Sequence, residues 1–243
     1  MYIDDISRTV TAKAATRLAD LETALGKSGF TTGLFPQPAK KNLTVGQMIL
    51  QGLPNLFWMR YGLLHEACIA LEWRWRRATI TTKNVPRAAT GPDLKGLFIG
   101  SRGRCGRPLT ATFRLWSLDD QALVSGTFVD APSVHKFGIE LWAEDLRPVY
   151  FGVTAQSGGS FQFTVVYHAA RELLSALVRR TKELAAFYGG DVNQTERLEL
   201  HDDFVLPKTI MDPLSLLERT SSQARTGTNI PIKIERRLLE AVR

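Results

Sequence analysis

Residues 72–114 read EWRWRRATITTKNVPRAATGPDLKGLFIGSRGRCGRPLTATFR, and what this stretch becomes decides where the helical part of the chain ends and the sheet begins. Its first residues alternate Trp and Arg, the period of a strand, and the β-prone Thr79-Ile80-Thr81-Thr82 follows, so a strand is predicted over about 73–83. Its end, Leu109 to Leu115, alternates apolar and polar residues more regularly than any other segment. Between them lies the turn-rich loop Gly100-Ser101-Arg102-Gly103-Arg104-Cys105-Gly106-Arg107-Pro108.

The stretch also concentrates charge. It holds ten Lys or Arg against two Asp or Glu, in a chain whose whole net charge is +7. Glycine exposes backbone amides and guanidinium forks pair with oxyanions, so the loop has the composition of a phosphate-contacting element. It lacks the Gly-Lys-Ser/Thr ending of a P-loop and the GxGxxG order of a dinucleotide fingerprint. No cofactor is therefore predicted.

Upstream, Ile3, Ile6, Val10, Ala14, Leu18, Leu21 and Leu25 fall at three- and four-residue spacings and predict one helix over 3–26. A second, buried helix is predicted from Asn55 to about Leu71. Within it His65-Glu66 is not a zinc-protease HExxH, because the residue four after His65 is Ile69. Downstream, a meander of about five strands is expected: the alternating Leu109–Leu115 run, Leu123–Val129, Lys136–Ala143, Pro148–Ala155 and Phe161–Val166, with a helix over Tyr167–Tyr188 covering one face. Leu97–Ile99 reads as a further short strand.

The expected fold class is α+β: N-terminal helices, a central antiparallel sheet of about five to six strands, and a long helix packed on one sheet face. Residues 1–206 read as one domain, helical over 1–71 and sheet plus helix over 72–206, with 207–243 as a partly independent tail. Cys68 and Cys105 are too few for a disulfide scaffold, and no apolar run spans a membrane. A cytoplasmic protein without a membrane partner is expected.

No nucleophile with its base and no metal-ligand spacing emerges. Arginine and lysine neutralise phosphates, and tryptophan and arginine planes stack on unpaired bases. The functional expectation is accordingly a non-catalytic DNA- or RNA-binding protein. Its nucleic-acid contacts are assigned to Trp73, Arg74, Trp75, Arg76, Arg77, Lys83, Arg102, Arg104 and Arg107, with no catalytic and no metal-ligating residue. One alternative is a structural subunit, as a homo-oligomer or in a larger protein assembly. The other is a metal-dependent nuclease built on Asp130 and Glu140. His201-Asp202-Asp203 reads as a solvated acidic loop.

Overall fold

A computed structural model describes residues 1–36, 42–85, 92–156 and 158–198. The chain divides into two compact units, Met1–Val205 and Leu206–Arg243. The expected tail and the His201-Asp202-Asp203 loop lie outside the described residues.

The first half of the larger unit runs β1 (Tyr2–Asp4), β2 (Thr9–Lys13), α1 (Leu18–Gly26), β3 (Phe30–Thr31), α2 (Val45–Gln51), α3 (Trp58–Tyr61), α4 (Leu64–Ala67), β4 (Cys68–Trp75), β5 (Ala78–Thr81), α5 (Leu94–Phe98), β6 (Arg107–Arg114) and β7 (Trp116–Ser117). Five of these strands make an antiparallel sheet in the order β1-β2-β6-β4-β5. The core on this sheet gathers Val10, Leu21, Leu25, Met48, Ile49, Leu71, Trp73, Phe98 and Phe113.

The second half runs β8 (Asp120–Phe128), α6 (Ala131–Ala143), β9 (Tyr150–Ala155), β10 (Phe161–Ala169), α7 (Arg171–Phe187) and β11 (Asp191–Leu198). Its antiparallel sheet has the order β11-β8-β10-β9, which is the split β-α-β arrangement of ferredoxin-like folds. Phe128, Phe137, Phe163, Val165 and Tyr167 fill a second core beneath α6 and α7. Glu144, just past α6, accepts from Arg180 of α7 at 2.6 Å.

The α+β class expected from sequence is what the structure shows, with an antiparallel five-stranded sheet and a long helix, α7, against a sheet face. Several elements differ from expectation, each for a local reason. The helix expected over 3–26 is a hairpin followed by α1. Asp4 Oδ1 accepts from the amides of Ile6 and Ser7, drawing the backbone into a turn that leaves Ile6 97% exposed. The helix expected over 55–71 is broken by Asn55, whose buried amide donates to the carbonyls of Gly33 and Gly62 and accepts from the amide of Phe35. Gly62 sits at φ +79°, and β4 has begun by Cys68. Leu94–Phe98 is helical because Asp93 accepts from the amide of Lys95.

The strand expected at 136–143 is α6. Asp130 is its N-cap, accepting from the amide of Ser133 at 2.8 Å, and a proline stands in the first turn. Asp130 therefore serves a helix end, and Glu140 lies within the same helix, not on a neighbouring strand. Asp130→Ala is expected to lower stability by about 1 kcal/mol, moving Tm down by roughly 2–4 °C in a domain of this size, as read by thermal denaturation followed by circular dichroism.

Candidate functional site

The loop between α5 and β6 is the most constrained irregular segment of the first half. Gly100, Arg102, Gly103 and Gly106 all have positive φ, between +52° and +101°. Two amides anchor its start to the end of α2: Gly100 donates to Ile49 and Arg102 to Leu50, each at 2.8 Å. Its far end is held by Trp73, whose Nε1 donates to the carbonyl of Cys105 at 2.6 Å.

Glycine is required here by contact as well as by φ. A Cβ on Gly106 would stand 2.1 Å from the carbonyl oxygen of Arg74, and one on Gly52 would stand 2.9 Å from Cα of Gly100. The loop thus lies directly on β4 and on the end of α2. Arg102, Arg104 and Arg107 are exposed on it, with no ion-pair partner among the described residues. Ser101 Oγ is buried and has no hydrogen-bond partner. Guanidinium groups and a fixed turn of glycines form a set of donors suited to an oxyanion.

The structure separates the residues assigned from sequence into two groups. Arg74 and Arg107 are cross-strand partners, so the β4–β5 hairpin and the Gly/Arg loop do meet at the sheet. Trp75 is 47% exposed and Arg76 lies 5.8 Å from its ring centre, in a hairpin turn where Arg76 has φ +52°. Arg77 and Lys83 are exposed nearby. Trp73 is a correction: it has no exposed surface, stacks on Phe98 at 4.7 Å and is committed to core and loop. Trp73 and Trp75 keep the same side of the strand, pairing in regular register with Ile80 and Ala78; Trp73 packs on Phe98 in the core, while Trp75 stands at the hairpin end of β4.

A second cluster, which the sequence reading missed, joins the two halves. Tyr61 Oη and His168 Nδ1 are 2.7 Å apart. Arg60 donates to the carbonyl of His168 and to Asp119. His168 Nε2 and Gln121 Oε1 are buried without partners, on cross-strand paired residues of β10 and β8. Burial, with help from Arg60, lowers the His168 pKa to about 3, so its ring is neutral at physiological pH. Burial also pushes the Tyr61 hydroxyl well above its ordinary range. In α1, Glu22 is pushed up by burial, against hydrogen bonds from Thr31 and Thr32. Isolated residues scattered over five elements leave no spacing signal by which sequence could find this group.

No protein-family profile matches the chain. Over 102 residues, 42% of the chain, it is 35% identical to the uncharacterized FAD-linked oxidoreductase YgcU of Escherichia coli strain K12, and equally to that of Escherichia coli O157:H7. The match covers 21% of those proteins. Two crystal forms of alkyldihydroxyacetonephosphate synthase superpose with a TM-score of 0.70, covering 79% and 81% of this chain and 40% and 42% of theirs. At 11% and 12% identity that likeness is one of fold.

These findings overturn the expectation of a non-catalytic nucleic-acid-binding protein and its two alternatives, the assembly subunit and the metal-dependent nuclease. The sequence relative is named an FAD-linked oxidoreductase, and the fold is shared with alkyldihydroxyacetonephosphate synthase. Among the described residues no group of three or more His, Cys, Asp or Glu is placed to hold a metal ion. Among them, too, no helix is long and apolar enough to cross a membrane.

Two outcomes are expected from this geometry. Gly106→Ala, forced against the Arg74 carbonyl at φ +101°, destabilises the domain by at least about 2 kcal/mol in urea titrations. The second concerns pH. Between about 3 and the ordinary histidine value near 6.5, the unfolded chain holds a proton on residue 168 that the folded chain does not. Stability contributed by neutral His168 is therefore complete above about pH 6.5 and is lost as pH falls toward 3, with a slope of up to about 1.4 kcal/mol per pH unit. Urea midpoints measured from pH 7 to pH 4 show this decline, and His168→Gln flattens it.

Proposed function

We propose that this chain forms part of a flavin-linked oxidoreductase, in which the Gly100–Arg107 loop holds the phosphates of FAD. The observation that carries the reading is the 35% identity over 102 residues with an FAD-linked oxidoreductase. The donor set of the loop supports it independently. Arg102, Arg104 and Arg107 supply positive charge, and Gly103 has open space where a side chain would stand.

A bound flavin supplies the two-electron acceptor that such a reaction needs. The contribution of this chain is binding and orientation. Trp73 and the carbonyls of Ile49 and Leu50 fix the loop before any ligand arrives, so little conformational entropy is lost on binding. Gly106 and Gly52 let the loop lie flat on β4 and α2, keeping its outer face clear for a phosphate.

The test is titration of the whole chain with FAD, followed by flavin fluorescence and absorbance. Saturable binding is expected, weakened at least tenfold when Arg102, Arg104 and Arg107 are changed together to Ala. The absence of saturable FAD binding, or unchanged affinity in the triple variant, overturns the assignment of the loop.

A further inference from the structure

We propose that the cleft at the opposite end of β6 is a second ligand site, for a small molecule bearing a phosphate or carboxylate group. The cleft encloses about 560 Å³, within the range of small-molecule sites. Its polar lining residues are Ser7, Arg8, Thr9, Asn84 and Arg114, and no carboxylate is among the lining residues. A cation finds no counter-charge in it; an oxyanion finds two guanidinium groups.

The two arginines are brought together by the fold. Thr9 and Arg114 are cross-strand partners, and the amide of Leu115 donates to the carbonyl of Arg8 at 2.8 Å. Arg8 is held at φ +49° in the turn that Asp4 closes, a conformation unfavourable for a residue with a Cβ. Neither arginine has an ion-pair partner among the described residues. Two like charges facing one cleft repel, and an oxyanion between them relieves the repulsion.

Trp116 gives the site a wall. The guanidinium of Arg114 lies 5.9 Å from its ring centre. Its ring meets Tyr61 in an edge contact at 5.6 Å. Ser7, Thr9 and Asn84 add hydroxyl and amide groups. The cleft is separate from the Gly/Arg loop: that loop joins β6 at Arg107 and the cleft sits at Arg114, roughly 23 Å along an extended strand. It neither needs the flavin reading nor depends on it.

The experiment is isothermal titration of the whole chain with inorganic phosphate and, separately, with succinate, in 150 mM sodium chloride, alongside tryptophan fluorescence. The two titrants distinguish phosphate from carboxylate as the recognised group. Saturable binding of at least one is expected, weakened tenfold or more in an Arg8→Gln, Arg114→Gln double variant. An Arg76→Gln, Arg77→Gln variant, which removes equal charge elsewhere, retains full affinity. Trp116→Phe abolishes the fluorescence response to the anion. Both cleft arginines are exposed, so the double variant is expected to keep the parent Tm and FAD affinity; should it melt early, Arg8→Lys and Arg114→Lys singly replace it, each expected to lose at least threefold. Failure of both anions to saturate, equal loss in the Arg76/Arg77 control, or undiminished binding after loss of the cleft arginines overturns the proposal.

Discussion

The hydrogen bond between Tyr61 and His168 is the contact on which the arrangement of the larger unit turns. It spans 107 residues of chain and joins the helical corner before β4 to the end of strand β10. Neither group can easily abandon it, because both are buried: an unpaired hydroxyl or imidazole nitrogen in that environment costs on the order of 1–3 kcal/mol. Arg60 and Asp119 bind the same two segments at their margin. Phe57 packs its ring edge against His168 at 4.9 Å, so the polar contact sits in an aromatic surround that excludes water. Two sheets with separate cores thus meet through one short polar seam.

The elements that sequence predicts well are those whose own side chains state their environment. The stripe of Leu174, Leu177, Val178 and Leu184 makes α7 evident, and the alternation of Leu109, Ala111, Phe113 and Leu115 makes β6 evident. Elements decided by one polar side chain were misread. Asp4 turns an apparent helix into a hairpin, Asn55 interrupts another, and Asp130 starts a helix where the apolar pattern resembles a strand. In each case a carboxylate or amide takes backbone partners and overrides a hydrophobic period that is ambiguous over a few residues. Asp130-Ala-Pro-Ser carries a readable capping signal; Asn55 carries none, since its partners at Gly33 and Phe35 are remote in sequence.

The candidate site was half legible for a similar reason. Glycine and arginine in one loop announce an oxyanion, and the composition does so whatever molecule bears it. The rigidity and relief of the loop come from contacts that composition does not record. Trp73 looked like a stacking platform because its neighbours are cationic, yet its indole is spent on Phe98 and on the Cys105 carbonyl. The guanidinium groups are presented on a surface that the tryptophan supports from beneath.

That division of labour along β4 has an optical consequence. Trp73 lies wholly inside, its N–H held by the loop, while Trp75, two residues on, stands half in water beside Arg76. An indole in an apolar setting emits at shorter wavelength than one in contact with water, so a single strand carries a blue emitter that senses the underside of the loop and a red emitter that senses the solvent face. Movement of Cys105 away from Trp73 alters the first and leaves the second unchanged, which gives the protein an internal reference against which its own rearrangements can be read.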